Sequence, residues 1–280
     1  NNMMPQFNKI LNLKFNNANF TLGIIILLIG LIKKLIFADT LSIFVDNGFN
    51  NTENLTFIYS WILSLSFTFQ LYFDFSGYID MATGSALMLN IFLPRNFNSP
   101  FKSLSVIDFW KRWHITLSEF LTNYIYSPWI KSLNEISFFK SMLIIIIVFL
   151  IAGIWHGASW CFILFGLTHG LGLVINHIYK KITFFKINKI LSWFLTFNFI
   201  NLSFVLFRSE NITQSKNIFI RMFDFNFLNQ VSNYNDLKLY YDFINIKFLS
   251  IFFLSFVICL FFNNSFYLIE KYKKINFNKR

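Results

Sequence analysis

The chain has 280 residues, of which 55% are hydrophobic and 13% are charged, whereas a typical soluble domain has roughly 25% charged residues. A soluble fold of this length could not bury so much apolar surface, because its interior is too small relative to its surface. The composition therefore excludes an ordinary soluble domain and predicts a protein that uses the lipid bilayer as its solvent.

The net charge of +11 also fits a membrane protein, since Lys and Arg collect in cytoplasmic loops and tails. The basic residues lie between apolar runs and do not form the interleaved patch of a nucleic-acid-binding surface. We therefore expect the bilayer, and no nucleic acid, as a partner. Two basic clusters should be cytoplasmic, and they consist of Lys180, Lys181, Lys186 and Lys189, and of Lys271, Lys273, Lys274, Lys279 and Arg280.

A membrane-spanning helix needs about 20 mostly apolar residues. In chain order, such runs are predicted at residues 20–37, 57–73, 136–154, 158–179, 190–207 and 248–269, while the run 79–92 is too short for a firm assignment. The basic clusters then place the loop 209–212 outside the cell. The pattern predicts an all-α, multi-pass transmembrane helical bundle.

Residues 105–129 show a different pattern, in which apolar side chains recur at three- and four-residue spacing along one helix face. Asp108 precedes Arg112 by four residues, which is the order that stabilises a helix surface. The pattern predicts a single amphipathic helix in the headgroup plane, on the cytoplasmic side. Its apolar face would consist of Phe109, Trp113, Leu117, Phe120 and Tyr124.

Two carboxylates, Asp74 and Asp80, lie in an otherwise apolar region. Burying a carboxylate near lipid is costly unless it is paired, hydrated or neutral, so such residues are functional candidates. The neighbouring Ser76 and Tyr78 are candidates with them. The alternative interpretation is a helix break at Gly77 that leaves both carboxylates at the water interface.

Cations and aromatic residues flank His114, which fits an interfacial anchor. Lys111 and Arg112 could instead bind the phosphates of a donor substrate, because both supply charge-assisted hydrogen bonds. The spacing alone leaves both interpretations open.

His156 lies between two long apolar runs, beside Trp155 and between Gly153 and Gly157. It could pack by bonding a backbone carbonyl, or it could act as a general base, since the unperturbed imidazole pKa lies near neutrality. The small neighbours would leave room for a substrate. His169 presents the same choice with weaker support from its neighbours.

Several other chemistries lack their sequence signatures. The chain contains no zinc-hydrolase motif, no nucleophile elbow and no P-loop. Cys161 and Cys259 have no metal-ligand or redox spacing, so we expect them to pack in the core. No metal site is expected.

Five segments resemble, in the same order, the bacterial alginate O-acetyltransferase-type branch of the membrane-bound O-acyltransferase family. They are GLIKKLIFAD at 30–39, FDFSGYIDMA at 73–82, DFWKRWHITLS at 108–118, GIWHG at 153–157 and FRSEN at 207–211. The sequence departs from the branch at 122–124, where relatives often carry Arg-Asp-Tyr and this chain has Thr-Asn-Tyr. The resemblance also implies a membrane region before residue 30 in the family, so we expect residues 1–280 to be one domain that is a C-terminal portion.

The resemblance implies a helical bundle with interfacial amphipathic helices around an acyl-transfer tunnel in the cell membrane. His156 would be the essential histidine, and His114 would lie near the tunnel on the other side. An acyl group, first of all acetyl, would pass from a cytoplasmic donor such as acetyl-coenzyme A or another acyl carrier, with no bound cofactor. The acceptor would be a cell-envelope polysaccharide or peptidoglycan, with an extracytoplasmic acetyltransferase- or esterase-like partner. Further substrate or tunnel candidates are Asp74, Ser76, Tyr78, Asp80, Lys111, Arg112, Trp155 and His169.

Three alternatives stay open. One is D-alanyl transfer to teichoic acid by a related branch. Another is a transporter or flippase that uses Asp74, Asp80 and the glycine-broken segments, although the sequence shows no internal repeat. The third is a non-catalytic membrane subunit in which His156 only packs.

Overall fold

The computed structural model describes residues 5–7, 16–182, 187–225 and 245–277, and every regular element within these ranges is helical. This confirms the predicted all-α class. Lys186, Lys279 and Arg280 of the basic clusters lie outside the described residues. The principal helices are α1 (Asn17–Asn50), α2 (Phe57–Met88), α3 (Val106–Trp110), α4 (115–131), α5 (Phe138–His156), α6 (Trp160–Ile182), α7 (Lys189–Arg208), α8 (Ile212–Met222), α9 (Ile246–Phe261) and α10 (Phe266–Phe277).

Four of these helices, α1, α5, α6 and α7, are long and apolar enough to cross a membrane. They correspond to four of the predicted spans. The span predicted at 248–269 is instead a helix pair, α9 and α10, bent by 42°. The bend falls at Asn263–Asn264–Ser265, where Asn264 donates to the Phe97 carbonyl and Ser265 donates to Asp80. These polar side chains bond to neighbouring segments, which stabilises the interruption.

Helix α2 is continuous over 32 residues, so the alternative of a helix break at Gly77 is wrong. The apolar run 79–92 mostly belongs to this helix. Gly77 instead allows close packing on α1, because a Cβ built on Gly77 would lie 2.9 Å from the Gly30 carbonyl oxygen. One further contact of this kind occurs two turns later, where a Cβ on Gly84 would lie 2.5 Å from the Gly23 carbonyl oxygen.

We predict that Gly84→Ala destabilises the α1–α2 pair by roughly 1–3 kcal/mol, because the added methyl group would force two backbones apart. The measurement is the thermal unfolding midpoint of the detergent-solubilised full-length protein. Gly172→Ala is the matched control, because its added Cβ would meet the mobile end of the Phe199 ring, at 2.5 Å, rather than backbone. Equal midpoints for the two variants would contradict the close backbone packing.

The segment 105–129 is not the single amphipathic helix that its spacing predicts. It contains α3 and α4, joined by a turn in which His114 has a left-handed φ of 44°. Phe109 and Trp113 are buried on one side of the turn, whereas Phe120 and Tyr124 are exposed on the other. The predicted apolar stripe is thus divided between the core and the surface.

The extended segment 91–98 explains this break. The Asn96 carbonyl accepts from the Ile115 amide at 3.0 Å, and the Asn96 side chain accepts from Thr116. The Asn98 amide donates to the Arg112 carbonyl at 2.9 Å. Because backbone groups of the turn bond to this segment, the helix does not continue through residues 111–114.

Charged residues lie at both ends of the bundle. The Lys181 ammonium group lies 4.1 Å from the Phe138 ring centroid, so the end of α6 and the start of α5 lie at one end, which also contains Lys140. This agrees with the predicted grouping of the basic residues. At the opposite end, where α1 and α7 terminate, Arg208 bonds to Asp46 at 2.8 Å. His156, the last residue of α5, lies toward this second end.

Aromatic side chains dominate the core between these helices. Phe44, Phe69 and Phe73 are almost completely buried, and the rings of Phe37 and Phe73 stack at 4.6 Å between α1 and α2. Cys161 and Cys259 are both free and buried. Their expected packing role agrees with this position.

Candidate functional site

His156 lies where α5 stops. Gly157 follows it with a φ of +159° and ends the helix, and a Cβ at this glycine would lie 2.7 Å from the Phe162 ring. The half-buried imidazole packs against the rings of Phe207, at 5.1 Å, and Phe165, at 6.2 Å. The neighbouring Trp155 is 64% exposed. The helix end therefore holds the imidazole on an aromatic wall without enclosing it.

His114 lies in the turn between α3 and α4. Its ring packs edge-on against Phe75 of α2 with 4.8 Å between the ring centroids. Its buried Nδ1 atom has no hydrogen-bond partner in any other described residue. Burial, together with the smaller effect of His156, lowers the pKa of His114 to about 4. His114 is therefore neutral at physiological pH, with a buried nitrogen that a ligand could use.

His114 and His156 lie within electrostatic range of each other, because His156 lowers the pKa of His114, although separate segments carry them. A series of ring contacts runs from Phe75, on which His114 packs, through Phe97 to Trp113, with 5.1 Å between the centroids at each step. Trp113 packs on Phe204 at 5.3 Å, and Phe204 packs on Phe165 at 6.3 Å, next to His156. The fold thus brings together the two candidates from segments 108–118 and 153–157.

His169 occupies a different environment. It is fully buried, its Nδ1 accepts from the Trp110 indole at 3.1 Å, and its Nε2 lies 2.9 Å from the Ser203 hydroxyl. Both ring nitrogens are therefore engaged by protein groups. This geometry leaves no free nitrogen for a substrate.

Asp74 and Asp80 are paired with cations of α1. Asp80 is bonded to Lys33 at 2.7 Å and accepts from Ser265 at 2.6 Å, with both charged side chains largely buried. Asp74 is half exposed and bonded to Lys34 at 2.6 Å. The carboxylates therefore connect helices α1 and α2. Of the two neighbouring candidates, Ser76 is buried near Tyr72 and Tyr78 is exposed.

Lys111 and Arg112 diverge from the turn. Arg112 is bonded to Asp108 at 2.8 Å and to the Asn98 carbonyl at 3.3 Å. Lys111 lies at a mostly apolar cavity of about 300 Å³ between α3, α4, α5 and α6. Ser118 also lines this cavity, and its hydroxyl has no hydrogen-bond partner among the described residues. The cavity thus combines mostly apolar walls with a few polar groups, among them the Lys111 ammonium, the His177 imidazole and the Ser118 hydroxyl.

Sequence reasoning missed several residues that hold these groups in place. Lys33 and Lys34 could have been found, because two cations within an apolar run require partners as much as two carboxylates do. Trp110, Asn96 and Ser203 gave no such signal, since their roles depend on long-range contacts. The described part of the chain has no cluster of three His, Cys, Asp or Glu residues suited to a metal.

A family model for MBOAT, the membrane-bound O-acyltransferase family, matches residues 1–175. The chain belongs to this family. The matched region includes the turn with His114 and the helix end with His156. The apolar helices and the family together show a membrane protein.

The chain is 50% identical over 214 residues to a peptidoglycan O-acetyltransferase of Helicobacter pylori, covering 75% of this chain and 40% of that protein. It is 38% identical over 196 residues to a probable alginate O-acetylase AlgI of Azotobacter vinelandii, covering 70% of this chain and 39% of that protein. It is 34% identical over 160 residues to a teichoic acid D-alanyltransferase of Streptococcus thermophilus, covering 50% of this chain and 39% of that protein. The chain thus spans about two fifths of the length of these curated relatives.

We predict that Lys33→Met alone destabilises the protein by roughly 3–5 kcal/mol, because it leaves the buried Asp80 charge unpaired. The double variant Lys33→Met/Asp80→Asn should recover much of this loss, since no isolated charge remains. The measurement is the thermal unfolding midpoint of the detergent-solubilised full-length protein.

Lys34→Gln is the matched control for this prediction. Its side chain is 40% exposed, and an exposed pair of this kind contributes roughly 0.2–1 kcal/mol. A double variant less stable than Lys33→Met would contradict the account of a buried, neutralised pair.

Proposed function

We propose that the full protein is a membrane-bound O-acyltransferase of the cell inner membrane that acetylates a cell-envelope polysaccharide, with peptidoglycan as the first candidate. The observation that carries this proposal is the convergence of His114 and His156 inside the family match. The choice of acetyl and of peptidoglycan rests on the relative that shares 50% identity. Residues 1–280 would form part of the single membrane domain of that enzyme.

His156 is the proposed general base. It would accept the proton of an acceptor hydroxyl while the hydroxyl oxygen bonds to the carbonyl carbon of the acyl donor. With a thioester donor, the carbon–sulfur bond then breaks and the proton passes to the departing thiolate. The partial exposure of His156 at a helix end, beside the exposed Trp155, supports access by a large acceptor.

His114 is proposed to act from the other side of the reacting group. Because its pKa is lowered to about 4, it remains neutral and adds no positive charge beside His156. Its Nδ1, which bonds to no other residue in the part of the chain that the structure describes, is available to a substrate hydroxyl or to a protonated group. A neutral partner would leave the basicity of His156 intact, which a general base near neutral pH requires.

The cavity beside Lys111 is the proposed donor side. Its apolar walls suit a flexible acyl-bearing arm, and Lys111 could bind a phosphate of acetyl-coenzyme A or of another acyl carrier. The donor is a substrate in this scheme, which requires no bound cofactor. An extracytoplasmic acetyltransferase- or esterase-like protein is the proposed partner for transfer to the polymer.

The contacts of the carboxylates argue against the transporter alternative. Asp74 and Asp80 are each bonded to a lysine, so neither is a free ion-binding group. The identity to a teichoic acid D-alanyltransferase supports D-alanyl transfer as the second candidate function. Both candidates use the same histidine site, and the identity of the released acyl group distinguishes them.

We predict that His156→Ala lowers the rate of acyl transfer on the order of 10²- to 10⁴-fold, the usual contribution of a general base. The full-length gene is expressed in a strain that lacks it, and alkali-releasable acetate and D-alanine are measured on the isolated cell envelope. Membrane levels of each variant are equalised by immunoblot.

The control is Trp160→Phe, which keeps an exposed aromatic residue at the same end of the bundle and should retain wild-type transfer. Equal acetate release by wild type and His156→Ala would overturn the catalytic role of His156. Release of D-alanine instead of acetate would replace the first candidate function with the second.

A further inference from the structure

A buried hydrogen-bond chain connects three helices beside the site. His169 of α6 is 0% exposed, and the Trp110 indole of α3 donates to its Nδ1 at 3.1 Å. Its Nε2 lies 2.9 Å from the hydroxyl of Ser203 in α7. Ser203 in turn donates to the Ile200 carbonyl at 2.8 Å. Each polar atom in this series of hydrogen bonds has a partner.

These hydrogen bonds fix the protonation state of His169. An indole N–H can only donate, so the Nδ1 atom of His169 must be unprotonated. The single hydroxyl proton of Ser203 goes to the Ile200 carbonyl, so Ser203 accepts the Nε2 proton of His169. His169 is therefore a neutral imidazole with both nitrogens in use, and its role must be exerted through its neighbours.

Trp110 belongs to the segment that carries His114 and contacts the helix that carries His156. Trp110 precedes His114 by four residues, immediately before the left-handed turn. Its ring also packs on Phe149 at 4.8 Å, and Phe149 lies two turns before His156 on α5. The bond from Trp110 to His169 therefore restrains the segment that carries one histidine against the helix that carries the other.

Two further contacts reach His156 directly. Phe165 packs on His169 with 4.5 Å between ring centroids and on His156 with 6.2 Å. Phe207, one turn after Ser203 on α7, packs on His156 at 5.1 Å. His169 thus lies behind the aromatic wall on which His156 rests.

We propose that His169 is a positioning residue that sets the mutual geometry of His114 and His156 through its bond to Trp110. The inference rests on the proposed acyl transfer. A misplacement of about 1 Å in a reacting group can lower a rate on the order of 100-fold. Loss of the Trp110 bond removes one of the contacts that hold α3 on α6, and the turn at His114 can then shift relative to His156.

Two substitutions separate the two bonds of His169. His169→Asn places an amide oxygen near the position of Nδ1, so it keeps the acceptor for Trp110 and loses the donor to Ser203. His169→Gln places an amide N–H near the position of Nε2, so it keeps the donor and loses the acceptor. Glutamine is also closer to histidine in size, so a role in packing alone favours Gln over Asn.

The test measures the initial rate of label transfer from radiolabelled acetyl-coenzyme A to the envelope fraction, using membranes that contain the full-length protein. Rates are divided by the amount of folded protein, determined by size-exclusion chromatography in detergent, and unfolding midpoints are recorded in parallel. We expect His169→Gln to lose on the order of 100-fold in rate per folded molecule and His169→Asn to retain most of the rate. In a Trp110→Phe background, the difference between the two variants should disappear.

An unchanged rate per folded molecule in both His169 variants would overturn the positioning role. A retained rate in His169→Gln with loss in His169→Asn would also overturn it. A difference that persists with Trp110→Phe would also overturn it, because Trp110 would not carry the effect. If neither His169 variant yields folded protein, Trp110→Phe alone decides, since a wild-type rate per folded molecule for Trp110→Phe rejects the inference. Absence of transfer in the wild type contradicts the proposed function instead.

Discussion

The turn at residues 111–114 is the constraint on which the site depends. A non-glycine residue with the left-handed backbone of His114 costs about 1–3 kcal/mol and persists where surrounding contacts overdetermine it. Here the contacts come from the extended segment 91–98, through Asn96 and Asn98, and from the pair between Arg112 and Asp108. A continuous helix would carry His114 along a surface stripe, whereas the turn directs it toward α2 and His156.

The rest of the bundle supports this turn from two sides. Helices α1 and α2 pack backbone to backbone at their glycines, and the buried pair of Lys33 and Asp80 fixes their relative position. This pair of helices presents Phe75 to His114. On the other side, α6 and α7 hold the aromatic wall of His156. The site is thus formed between these two helix pairs, while the two histidines themselves are carried by the α3–α4 turn and by the end of α5.

Hydrophobic runs were sufficient to predict the all-α class and the spans in α1, α5, α6 and α7, because lipid imposes the same length on each of them. The motif residues also identified the two segments, 108–118 and 153–157, whose histidines lie within electrostatic range of each other. Periodicity failed at 105–129, since the bonds that break the helix come from Asn96 and Asn98, which precede the segment and lie outside its pattern. Local pattern also gave no indication that His169 bonds to Trp110, a contact between residues far apart in sequence.

The most direct test of the account is whether His114 and His156 face each other in the membrane. His114→Cys and His156→Cys are combined in full-length protein without other cysteines, with a protease site at the exposed loop 132–136, and treated with a short thiol cross-linker. We expect the cleaved fragments to remain linked. The control is Phe37→Cys/Phe73→Cys cleaved at 51–56, which should also remain linked because the native rings stack at 4.6 Å. Separation of the 114 and 156 fragments, with the control still linked, would contradict this arrangement of the two histidines.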